Sequence, residues 1–134
     1  KTGVRSSFSN YGANVDISAP GGDSEADTGI LSLTDKSTTA PQDSTYATMV
    51  GTSQAAPHVA GTIALMLAAN PDLKTEEIVT ILQDTATTMA GCDRDSCGAG
   101  IVNAASAVSQ VTGKSPKPSA TPVERSLRRG SRRG

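Results

Sequence analysis

Ser53 stands where a loop enters an apolar, helix-forming stretch, within Gly51-Thr52-Ser53-Gln54-Ala55-Ala56-Pro57-His58-Val59-Ala60-Gly61. A serine so placed can expose its hydroxyl while its backbone N–H joins the positive end of the helix. That suits a nucleophile whose attack creates an oxyanion. Gly51 lets another chain approach the backbone closely. Pro57 is expected in the first helical turn, where a missing N–H removes at most one helix bond. The plain alternative is a serine that merely caps the helix. His58, the only histidine, lies five residues on. On a helix it turns about 140° away from Ser53 and stands about 7.5 Å further along, so it reads as structural.

The other chemistry-bearing residues form weaker patterns. Asp23, Asp27 and Asp35, and again Asp93 and Asp95, lie in polar loops without a recognisable calcium-ligand spacing. They read as solvated carboxylates. Cys92 and Cys97 enclose a short loop. A disulfide there would stabilise by roughly 2 kcal/mol, less any strain, and would favour an exported protein. Free thiols or metal-binding thiols are the alternative, although two thiols alone do not complete a zinc site.

The elements that must position Ser53 follow from pattern. Val15-Asp16-Ile17-Ser18 reads as a short strand stopped by Pro20-Gly21-Gly22. Residues 22–45 read as a polar loop, a short strand at Ile30-Leu31-Ser32-Leu33, and another loop. From Ser53 to Ala69 the pattern is helical and apolar on nearly every face. Such a helix is a buried one, yet the remaining chain looks too small to surround it, an independent hint that a portion of the domain is missing. Asn70-Pro71 ends it. Thr75 is expected to cap a second helix with Glu76 and Glu77 in its first turn. Gly98-Ala99-Gly100-Ile101-Val102 reads as a turn and short strand, and Asn103 as the cap of a third helix running to Val111.

Composition bounds the rest. Phe8, Tyr11 and Tyr46 are the only aromatics among 134 residues, so the core is a thin one. The longest apolar run, Thr62 to Ala69, is too short to span a bilayer. The chain begins with Lys1 and has no signal-peptide pattern, which suggests processing or a cut from a longer chain. Residues 1–113 carry five basic and twelve acidic side chains, a net of −7, whereas residues 114–134 carry seven basic side chains against Glu124, a net of +6. This Pro- and Arg-rich end reads as a flexible, disordered tail. Without stacking aromatics or a binding fold, it does not point to nucleic acid.

The segment around Ser53 resembles the G-T-S-x-A-x-P-H-V-A-G signature at the nucleophile of the subtilisin-like (subtilase, peptidase S8) serine proteases, with every fixed position present. Phe8-Ser9-Asn10-Tyr11-Gly12, Val15 to Gly21, Asn70-Pro71 and Gly98 to Ala104 agree in order. Together these are similar to the C-terminal third of the catalytic domain, over residues 1–111, with residues 112–134 a tail outside the resemblance. The implied fold is α/β, a partial subtilisin-like fold whose nucleophile helix is buried beside a central parallel sheet.

What the resemblance implies is serine-type endopeptidase chemistry on peptide or protein substrates, in a secreted parent, with Ser53 as nucleophile and its own N–H as an oxyanion donor. The family's chain order is Asp, His, Ser. The catalytic Asp, the His and the oxyanion Asn are therefore expected in a missing N-terminal part, and this chain alone is expected to be inactive. Asp27-Thr28-Gly29 looks like the family's Asp motif but lacks the apolar strand before it. The histidine of the P-H-V-A-G segment is not the family's base. Gln54 departs from the Met often found after the nucleophile. No cofactor is needed for this chemistry, and a structural calcium has no assignable ligands. Neither nucleic acid nor membrane is an expected partner. The alternative is an inactive fragment or pseudo-protease acting as a binding or structural module.

Overall fold

The computed structural model describes residues 3–23, 29–35, 37, 39–40 and 43–113. Asp27 and the tail from Lys114 onward, both singled out above, lie outside the described residues. The elements run β1 (Ile30–Asp35), β2 (Ser44–Met49), α1 (Thr52–Ala69), α2 (Thr75–Asp84), α3 (Arg94–Cys97) and α4 (Ala104–Thr112).

α1 forms because Ala, Leu, Met and Ile make up ten of its eighteen residues and the one proline sits near its start. It begins at Thr52, one residue before the expected start. Pro57 is the sixth residue of α1 and lies in the second turn rather than the first, so the Ser53 carbonyl has no i+4 donor. Asn70 turns to extended backbone and its N–H closes on the Met66 carbonyl at 2.9 Å, which leaves Pro71 outside the helix.

α2 carries an apolar stripe with Ile78 and Leu82 buried. Its cap is Lys74, not Thr75: the Glu77 carboxylate accepts the Lys74 N–H at 2.9 Å. Glu76 and Glu77 do occupy the first turn, where the helix dipole favours them. α4 is capped as expected, with the Asn103 side chain accepting the Ser106 N–H at 3.0 Å. It ends on Gly113 in the left-handed conformation, φ +66°, a backbone that glycine adopts without Cβ strain.

The core lies where α1 and α2 meet α4: Met66, Ile78, Leu82 and Ala107 are buried, with Ile63, Leu67, Val108 and Val111 packed against them. The expected burial of α1 on every side is not met within this chain. Only Thr62 and Met66 are buried, and Leu65 is 56% exposed. The reason is geometric: α4 is the helix that packs along α1, and it covers one face.

β1 and β2 form an antiparallel ribbon in which Leu33 pairs with Tyr46. β2 was not anticipated, since residues 34–45 read as loop. Parallel pairing among the described residues is the bridge between Ser18 and Ile101; Ile101 also bridges Thr87 in the antiparallel sense. The expected strand at Val15–Ser18 is thus reduced to one bridge. α3 is a single turn inside the cysteine loop, where the sequence pattern indicates loop alone.

Candidate active site

Ser53 is the second residue of α1 and is exposed. Among the described residues neither its hydroxyl nor its N–H has a hydrogen-bond partner. An open hydroxyl therefore stands beside a free donor at the positive end of an 18-residue helix, the combination needed to bind oxygen that gains negative charge.

The approach to Ser53 is fixed by two glycines. Gly51 has φ +148°, a conformation that L side chains rarely adopt. Its N–H donates to the Gly21 carbonyl at 2.8 Å, and its own carbonyl accepts the Gln54 N–H at 3.1 Å. A Cβ on Gly21 would lie 2.6 Å from the Gly51 oxygen. The chain thus arrives at Ser53 through a turn docked against the segment that ends at Gly21.

Ser53 borders an open depression that it shares with Gln54, Pro57 and His58 of α1, with Met49, and with Ile30, Leu31 and Leu33 of β1. The amide of Gln54 lies 3.7 Å from the Met49 sulfur, so the residue after Ser53 packs toward the ribbon. The ribbon wall was missed in the sequence. The Thr and Tyr residues of Ser44–Met49 were the available signal, masked by the polar residues around them.

His58 borders the same depression, and one of its ring nitrogens bonds back to its own helix. Its Nδ1 lies 2.8 Å from the Gln54 carbonyl. A carbonyl only accepts, so Nδ1 carries the hydrogen. His58 therefore braces the second turn of its own helix, while the buried Thr62 hydroxyl donates to the His58 carbonyl at 2.8 Å. A second, larger cleft separates the segment before Asp23 from α1 and is walled by Val4, Phe8, Ile17, Ala55, Val59 and Met89.

Cys92 and Cys97 are joined in a disulfide, with Cα atoms 6.0 Å apart. Among the described residues no three His, Cys, Asp or Glu side chains gather at one point, and no helix is long and apolar enough to cross a membrane.

Residues 1–112 match the family model described as the subtilase family. The chain is 44% identical over 107 residues to an extracellular protease of Xanthomonas campestris pv. campestris, covering 79% of this chain and 17% of that protein. It is 40% identical over 138 residues to an extracellular basic protease of Dichelobacter nodosus, covering 97% and 21% respectively. Among solved structures, a protease from Pseudoalteromonas arctica superposes with a TM-score of 0.74 at 43% identity, covering 81% of this chain and 33% of that one. The mixed helix and strand architecture is thus similar to that of solved proteases, and the chain spans about a fifth of the length of these two curated relatives.

Proposed function

Because this chain belongs to the subtilase family, we propose that its parent protein is a secreted serine endopeptidase and that Ser53 is the nucleophile. The observation that carries this reading is the exposed Ser53 hydroxyl beside its unpartnered N–H at the head of α1.

In this reading the Ser53 oxygen adds to the carbonyl carbon of a peptide bond while its proton passes to a histidine base. The carbonyl oxygen gains the negative charge and accepts from the Ser53 N–H. The intermediate then collapses, the C–N bond breaks, and the amine leaves with the proton the histidine returns. Water repeats the sequence on the acyl-enzyme. Gly51 keeps the entrance open to the substrate backbone. The chemistry needs no cofactor.

The base, the orienting Asp and the second oxyanion donor come, in this proposal, from the part of the catalytic domain outside these residues. Two observations support that. Among the described residues no hydrogen bond joins the His58 ring to Ser53; the ring bonds through Nδ1 to the Gln54 carbonyl of its own helix. The outer side of α1 and the wide cleft beside it expose apolar surface, as expected of a helix that further chain would enclose next to a central parallel sheet. The nucleophile-bearing region is then residues 1–111, with residues 112–134 a separate tail. The relatives' names as extracellular proteases support export, and the disulfide is consistent with it.

Mixing this chain with the complementary N-terminal part of the domain tests the reading. A well-folded pair should react with a serine-directed phosphonate and cleave peptides, and the chain alone should do neither. A folded pair inert to the phosphonate would leave the alternative, a non-catalytic binding module, as the better account.

A further inference from the structure

We propose that the Cys92–Cys97 disulfide is a positioning element for Ser53, acting through the segment Gly12–Gly21, and that reducing it slows the chemical step. The inference rests on the nucleophile reading above.

The disulfide encloses α3, four residues long. Its turn is closed by the Cys97 N–H on the Asp93 carbonyl at 2.9 Å and the Gly98 N–H on the Arg94 carbonyl at 3.1 Å. One helical turn does not persist in water without support, because nucleation fixes several dihedrals for one hydrogen bond. The covalent ring supplies that support.

The turn so held presents two carbonyls to another part of the chain. Ser96 accepts the Gly12 N–H at 3.1 Å, and Cys97 accepts the Ser18 hydroxyl at 2.9 Å. The contact continues past the ring. The Ala99 N–H donates to Asp16 at 3.0 Å, the Ser18 N–H to Gly100 at 2.8 Å, and the Val102 N–H to Ser18 at 2.8 Å. Cys97 and Gly98 are buried in this seam, and a Cβ on Gly98 would lie 2.5 Å from the Asp16 backbone. Three residues beyond Ser18, the Gly21 carbonyl receives the Gly51 N–H, two residues before Ser53. The disulfide-held turn and the nucleophile's turn therefore moor to the same short segment, at Gly12 and Ser18 and at Gly21 respectively.

Cys92 is only half-buried, which opens the bridge to a small dithiol. A thiolate of the reductant attacks the Cys92 sulfur and the S–S bond breaks. Cys97 leaves as thiolate and takes a proton. The reductant's second thiol then displaces Cys92 and closes its own disulfide, so two electrons pass to the protein.

The test uses the full-length protease treated with dithiothreitol, with release of the Cys92 and Cys97 thiols followed by peptide mapping and the fold followed by circular dichroism at the assay temperature. Reduction should lower kcat about tenfold and leave KM nearly unchanged, as expected when a reacting group is slightly misplaced. The rate of phosphonate labelling should fall in parallel, and oxidised glutathione should restore both. Ser18→Ala should lose part of the same activity, and reduction should then cost it less than it costs the unsubstituted enzyme. Unchanged kcat with both thiols released would overturn the proposal. So would an equal fold-loss in Ser18→Ala, or a loss that only accompanies unfolding. An oxidised enzyme that never labels would instead sink the nucleophile reading and leave the two failures distinguishable.

Discussion

The carbonyl of Gly21 accepts the N–H of Gly51 at 2.8 Å, and the two backbones are so close that a methyl group on Gly21 would lie 2.6 Å from the Gly51 oxygen. The entrance to Ser53 is therefore set by a backbone-to-backbone fit with no room for a side chain.

Gly21→Ala should push that fit apart. Overpacking of this kind costs about 1–3 kcal/mol, and the displaced atoms lie two residues from Ser53. The full-length variant should lose kcat by more than its melting temperature implies. Steady-state kinetics beside a thermal melt would check this; unaltered kcat would show that the docking does not govern Ser53.

His58→Ala should keep the enzyme active. His58 braces its own helix through the Gln54 carbonyl, a bond worth about 1 kcal/mol. A modest fall in melting temperature with peptide hydrolysis retained is the expected result. Complete loss of hydrolysis in a folded variant would give His58 a role in the chemistry.

Met66 is fully buried between α1 and its neighbours. Met66→Ala should destabilise by about 2–5 kcal/mol, against about 1 kcal/mol for removing the α4 cap in Asn103→Ala. Denaturant unfolding of the full-length protein measures both, and the order of the two costs is the point at issue.

The isolated chain should melt broadly and bind an apolar dye. Its core is four buried side chains with their neighbours, and α1 leaves Leu65 56% exposed. A sharp cooperative transition by circular dichroism, with no dye bound, would mean that this small core suffices.

The sequence was most legible where one residue type has one physical use. Asn103 could be read as a cap because its side chain is short and accepting, and Asn70-Pro71 as a stop because proline cannot continue a helix. Ser53 stood out because the residues around it form a dense, ordered motif. β2 escaped because its half-buried positions, Thr45 and Ala47, are small or polar while the large Tyr46 faces solvent, so no apolar-polar alternation marks the strand. Thr75 was read as a cap where Lys74 is one, because the accepting group is the side chain of Glu77, three residues on. The seam between Ser18 and Cys97 joins residues 79 apart, and contact at that distance leaves no local pattern to read.

The most direct measurement is mass spectrometry of the full-length protease after reaction with a fluorophosphonate. The adduct should fall on the peptide that carries Ser53, and Ser53→Ala should abolish both the adduct and peptide hydrolysis while keeping the fold. An enzyme that hydrolyses peptides with its adduct elsewhere, or a Ser53→Ala variant that still turns over, would contradict the account.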